Sequence, residues 1–115
     1  MESHAKVVVI GGGVVGCSIL YHLSKFGLKD CILLERKELT SGSSWHAAGN
    51  VHVISSDPNI SRMMAYTIGL YKEIEQESGH SVGFKPSGGF YLASNDVWAD
   101  YLKRERSKAR YMGLD

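Results

Sequence analysis

Val7-Val8-Val9-Ile10 runs straight into Gly11-Gly12-Gly13-Val14-Val15-Gly16, and the reading of these ten residues decides the fold. The four β-branched residues predict a strand buried on both faces, and the glycines after it predict a tight turn into a helix. Strand, turn and helix in that order form a phosphate cradle. Gly11 makes the sharp turn, Gly13 lets a pyrophosphate approach the backbone, and Gly16 lets the helix lie close against the strand. The helix then aims unpaired N–H groups and its positive dipole end at the phosphates.

The next residues supply the context that G-x-G-x-x-G requires. Val15, Ile19, Leu23 and Phe26 recur at helical spacing, which predicts a helix over 14–26, and Gly27 is a suitable left-handed terminator. Cys31-Ile32-Leu33-Leu34-Glu35 reads as a second buried strand, parallel to the first because a right-handed crossover joins them. Glu35 follows Gly16 by 19 residues and closes that strand. A carboxylate there accepts the hydroxyl protons of an adenosine ribose and repels a 2′-phosphate, so the pattern points to NAD or FAD and away from NADP.

After Glu35 comes Thr40-Ser41-Gly42-Ser43-Ser44-Trp45-His46-Ala47-Ala48-Gly49. Small residues and glycines let the backbone approach a ligand, and the hydroxyls of Ser43 and Ser44 can bond phosphate or ribityl oxygens. A large aromatic and an imidazole between glycines imply something for Trp45 and His46 to pack on. Pairing His46 with His52 as a metal site fails for want of a third ligand or a cysteine.

Asp57-Pro58 starts a further helix with cap and first-turn proline, and Ile60, Met63, Met64, Thr67, Leu70, Tyr71 and Ile74 trace its apolar face as far as Gly79. Val82 to Phe84 and Phe90 to Ala93 read as two strands of a hairpin around Pro86 to Gly89. A last helix over about 96–112 carries Trp98, Tyr101, Leu102, Ala109 and Met112 on one side and a basic cluster on the other. No aromatic residues interleave with those bases, so the face reads as solvated and not as a nucleic-acid surface.

With 115 residues, a net charge of +1 and 43% hydrophobic content, the chain holds at most one domain of ordinary soluble character. Neither a nucleic-acid partner nor a membrane span is expected. Cys17 and Cys31 stand apart, as reduced thiols do, which fits a cytoplasmic location, or the mitochondrial matrix if the source is eukaryotic. The expected fold class is α/β: a Rossmann-like domain with a parallel βαβ core, followed by the beginning of an additional helix and β-hairpin segment. It is expected to be incomplete, with residues 1–115 the N-terminal part of a longer polypeptide, and marginal in stability on their own.

The glycine fingerprint, Glu35 and the Trp45-His46-Ala47-Ala48-Gly49 segment together resemble the flavin-dependent dimethylglycine and sarcosine dehydrogenases, within the D-amino-acid-oxidase-like amine oxidoreductases. The likeness runs from Val7 to Leu114. It implies FAD, with Val14 and Val15 offering backbone contacts to the pyrophosphate, Glu35 and Arg36 around the adenosine ribose, and Gly42 through Asn50 around the rest of the cofactor. The motif histidine falls on His46 and implies a covalent bond to the 8α carbon of the flavin, for which a neutral imidazole is a competent nucleophile. Ser44 and Asn50 depart from the family's commoner Thr and Leu; the first keeps the hydroxyl, and the second changes a local apolar contact.

The reaction the resemblance implies is oxidation of an N-methyl amine such as dimethylglycine or sarcosine, with a hydride passing to flavin N5. The iminium left behind is hydrolysed to formaldehyde or captured by tetrahydrofolate in a further domain, and electrons leave to an electron-transfer flavoprotein or to oxygen. Two alternatives belong to other classes: a non-catalytic relative like the regulatory subunit of pyruvate dehydrogenase phosphatase, and an NAD-binding module, which has no use for the Trp-His-Ala-Ala-Gly segment.

Overall fold

The computed structural model describes residues 4–114, which divide into two compact units, one up to Asn50 and one from Val51 onward. In the first unit, strand β1 (Val7–Ile10), helix α1 (Val14–Lys25) and strand β2 (Cys31–Leu34) form a βαβ element. The two strands are parallel and in register from Val7 opposite Cys31 to Ile10 opposite Leu34. Helix α1 packs on this pair. The chain leaves α1 through Phe26 and then Gly27 at φ +88°, where the Leu28 N–H donates back to the Leu23 carbonyl at 3.0 Å. These are the elements that the hydrophobic runs and glycines predict.

The expectation of strands buried on both faces is corrected. Only Val9 of β1 is buried, whereas Val8 is 49% and Ile10 85% exposed. One layer of helix covers one face of the sheet in this unit, and Val9 is the residue whose side chain meets Gly16 of that helix.

In the second unit, helix α2 (Pro58–Ser78) begins at Asp57, whose carboxylate accepts the N–H groups of Asn59 at 2.7 Å and Ile60 at 3.2 Å. It ends at Gly79, φ +68°. Leu70 is buried on the predicted face, but Ile60 and Met63 of that face are exposed. The most enclosed side chain of the unit is polar: Ser61 Oγ accepts the Ser55 N–H at 3.0 Å and donates to the Ser55 carbonyl at 3.4 Å. A buried hydroxyl is tolerated because both of its bonds are made. Helix α3 (Asp96–Tyr111) is capped by Asn95, whose side chain accepts the Trp98 N–H at 3.0 Å. Ala109 is its buried contact, and Lys103 and Lys108 of its charged face pair with Asp100 and Glu105.

The predicted hairpin does not form. Among the described residues β1 and β2 are the sheet, and neither Val82 to Phe84 nor Phe90 to Ala93 is a strand. The first segment folds onto α2 instead: Ser81 Oγ and the Val82 N–H both donate to Glu75 Oε1, at 2.8 and 2.9 Å, and the Phe84 ring lies 5.7 Å from Tyr71. Gly83 and Gly88 sit at positive φ and break the extended run, leaving Phe90 and Leu92 exposed.

Candidate functional site

The turn between β1 and α1 brings the first set of predicted residues together. Gly11 has φ +106° and donates its N–H to the Leu34 carbonyl at 2.8 Å, which ties the turn to the end of β2. A Cβ on Gly16 would overlap the Gly11 carbonyl oxygen and come within 3.4 Å of Val9 Cγ1. Gly16 therefore sets the helix-to-strand distance, as predicted. Gly12, which the spacing rule leaves as a free position, is also crowded, though by side chains that can shift: a Cβ there would lie 2.5 Å from Leu39 Cδ2 and 3.0 Å from Glu35 Cβ. Its buried peptide is also the most heavily bonded of the turn. The N–H donates to Glu35 Oε2 at 2.7 Å, and the carbonyl accepts the Thr40 N–H at 2.8 Å and the Cys17 thiol at 3.5 Å.

Glu35 stands half-buried just past the end of β2, with Oε1 accepting the Lys37 N–H at 2.9 Å. The bond from the Gly12 N–H, then that from Lys37, holds its carboxyl below the usual carboxylate range, and the Arg36 charge acts in the same direction. Each carboxylate oxygen spends one lone pair on the backbone and keeps another for a hydroxyl donor. The group is thus pre-aimed and anionic at neutral pH.

The loop carrying the second set of predicted residues closes over the same turn. The Val14 N–H, at the first position of α1, donates to Ser44 Oγ at 2.8 Å across 30 residues of sequence. The Val14 N–H, expected to face a phosphate, is thus taken by the Ser44 hydroxyl, which acts here as an acceptor. Within the loop, Trp45 N–H donates to the Thr40 carbonyl at 3.1 Å and His46 N–H to the Ser43 carbonyl at 3.1 Å. Thr40 has φ +62°, an uncommon conformation for a β-branched residue.

His46 is exposed, and its Nδ1 lies 3.0 Å from the Gly42 carbonyl oxygen. A carbonyl only accepts, so Nδ1 carries the proton, and in the neutral ring the lone pair is on Nε2. Trp45 departs from expectation: it is 77% exposed. A turn closed by backbone bonds holds its indole without a packing surface. Val15, Arg36, Gly42, Ser43, Ala47, Ala48, Gly49 and Asn50 are likewise exposed along or beside this loop. Among the described residues no cluster of His, Cys, Asp and Glu could hold a metal, and no helix is long and apolar enough to cross a membrane.

A dinucleotide fits this arrangement on physical grounds: side chains at Gly12 and Gly16 would fill the turn, the N-terminus of α1 opens beside it, and a pre-aimed carboxylate stands at the neighbouring strand end. The chain belongs to the FAD dependent oxidoreductase family, DAO, whose profile matches residues 6–115. It is 42% identical over 107 residues to human mitochondrial dimethylglycine dehydrogenase, covering 93% of this chain and 12% of that protein. To human mitochondrial sarcosine dehydrogenase it is 40% identical over 116 residues, covering 100% of this chain and 13% of that one. The crystal structure of L-proline dehydrogenase from P. horikoshii superposes with a TM-score of 0.88 at 28% identity, over 98% of this chain and 29% of that chain. The α/β class is thereby established, and the chain spans about an eighth of the length of these curated relatives.

A pH titration of cofactor affinity isolates Glu35. Its folded pKa is lowered by the Gly12 and Lys37 N–H bonds, so the anionic form that accepts ribose hydroxyls is present at neutral pH and is lost only as pH falls through that lowered value. FAD affinity of wild type relative to Glu35→Gln should be constant at neutral pH and decline only once pH falls below the ordinary carboxylate range, through the lowered Glu35 value. Parallel titration curves for the two proteins at every pH would remove Glu35 from the site.

Proposed function

We propose that the chain is the N-terminal, FAD-binding part of an enzyme that oxidises an N-methylated amine such as dimethylglycine or sarcosine. The observation that carries this reading is the similarity of nearly the whole chain to dehydrogenases named for those two amines, together with the intact Glu35 and His46 in a preformed cradle. Bound FAD supplies the two-electron acceptor, at N5, for a hydride from the methyl carbon beside the amine nitrogen. The chain's own residues hold and orient. The Gly13 backbone and the start of α1 at Val15 seat the pyrophosphate, Glu35 receives the ribose hydroxyls with Arg36 beside it, and the 42–50 loop lies along the rest of the cofactor.

His46 tethers the flavin through Nε2, because Nδ1 is committed to the Gly42 carbonyl. Substrate-binding groups, a tetrahydrofolate-binding domain and the docking site of an electron acceptor, whether an electron-transfer flavoprotein or oxygen, belong to the remainder of the polypeptide in this reading. A cytoplasmic or mitochondrial-matrix setting accompanies it.

Anaerobic mixing of purified intact holoprotein with dimethylglycine, sarcosine and related methylated amines tests the activity. Bleaching of the flavin absorbance near its long-wavelength maximum with one of them is expected. A flavin that stays oxidised with all of them would move the protein to the non-catalytic, regulatory class.

A further inference from the structure

Two hydrogen bonds fasten the His46 turn to the glycine cradle, and they come from residues at opposite ends of one short segment. At its start, Thr40 donates its N–H to the Gly12 carbonyl, 2.8 Å away. Four residues later, Ser44 Oγ accepts from the Val14 N–H at 2.8 Å. Between these points the segment is closed on itself by the Trp45-to-Thr40 bond, and the imidazole is pinned to the Gly42 carbonyl. The turn that carries the imidazole is therefore tied to Gly12 and Val14.

We propose that Thr40 and Ser44 are positioning residues that form a two-point latch, holding His46 at a set distance from the phosphate cradle before the cofactor enters. The inference rests on the proposed tethering by His46. Three observations support it. Thr40 keeps a positive φ of 62°, which is sustained only where surrounding bonds over-determine it. Gly13 lies against the Ser44 hydroxyl, with a Cβ position 3.2 Å from Oγ, so this glycine leaves room for the latch as well as for a ligand. And Ser44 occupies the N–H of Val14 at the start of α1, a donor otherwise left without an intrahelical partner. A serine hydroxyl in that place ties the loop to the start of α1. Covalent attachment then needs no search by the loop, since reacting atoms held in register react far faster than those that must find one another.

The test compares wild type, Ser44→Ala and Ser44→Thr in the intact protein, prepared without flavin and then given FAD. Reversible affinity is read by flavin fluorescence and attachment by acid-precipitable flavin against time. In Ser44→Ala the attachment rate at saturating FAD should fall about tenfold or more, as expected for lost alignment, while reversible affinity falls much less. Ser44→Thr should restore the rate.

Equal rates in wild type and Ser44→Ala would overturn the latch, as would a fall in affinity with no fall in the saturated rate, which would make Ser44 a phosphate ligand only. Amide hydrogen exchange of the flavin-free proteins separates the latch from the tether. Faster exchange across residues 40–46 in Ser44→Ala is expected; unchanged exchange there overturns the latch. A wild type that forms no acid-stable flavin while Ser44→Ala still exchanges faster would refute the tether and leave the latch standing.

Discussion

In His46→Ala, acid precipitation of the intact holoprotein should leave a colourless pellet and a yellow supernatant, whereas wild type should give a yellow pellet. The substitution removes the only ring in the 40–50 loop able to form the bond, and it leaves Gly12, Glu35 and Val14 untouched, so FAD should still bind reversibly. The proposed attachment would join Nε2 to the 8α carbon and remove one hydrogen from each partner. The two electrons and two protons would pass to an oxidant, dioxygen in air. His46→Asn keeps a polar group of similar reach but has no comparable nucleophile, and should behave like the alanine variant. The effect is all-or-none in the pellet. Flavin that washes entirely out of the wild-type pellet would show that His46 does no more than close its own turn.

Gly16→Ala should be the most damaging single methyl group in the first unit. Helix propensity favours alanine over glycine by about 1 kcal/mol, so the local term alone predicts stabilisation. Contact decides otherwise. The added Cβ would overlap the Gly11 carbonyl oxygen, a backbone atom held by its own hydrogen-bonded turn, and no side-chain rotation can relieve the clash. Overpacking of this kind costs about 1–3 kcal/mol, so the net change should be destabilising, with loss of FAD affinity as α1 is levered away from β1. Gly69 provides the control. It lies inside α2 with nothing within 4 Å of its Cβ position, so Gly69→Ala should raise the melting temperature through the propensity term alone. Thermal melts of the intact protein that move in the same direction for both variants would contradict this account.

What was legible in the sequence was local. The βαβ element could be read because its signals, a β-branched run, a glycine turn, a 3.6-residue period and a second apolar run, lie within about thirty residues. Glu35 was legible for the same reason: its distance from the glycines is fixed by one helix and one strand. What remained hidden depended on contacts distant in sequence. Gly12 looks like a filler position until Leu39 and Glu35 fold against it, and the Val14-to-Ser44 bond spans a loop whose path no periodicity describes. Thr40 gave no signal because a β-branched residue is not the expected choice at positive φ.

The misplaced hairpin has a related cause. Val82 to Phe84 has strand composition, but Glu75 and Tyr71 of α2 capture it, and short apolar runs adopt whichever partner is nearest. Ser61 shows the converse, a polar residue drawn inside by a backbone partner six residues earlier.

Thr40 also has a thermodynamic consequence for the unfolded chain. Glycine would adopt its native angle without effort, yet it would add freedom to a segment that already contains Gly42 and Gly49. A threonine gives up a fraction of native stability but restricts the disordered ensemble, because its branched side chain allows few backbone and rotamer states. The loop that carries His46 thus has less entropy to lose on folding than its small-residue composition implies.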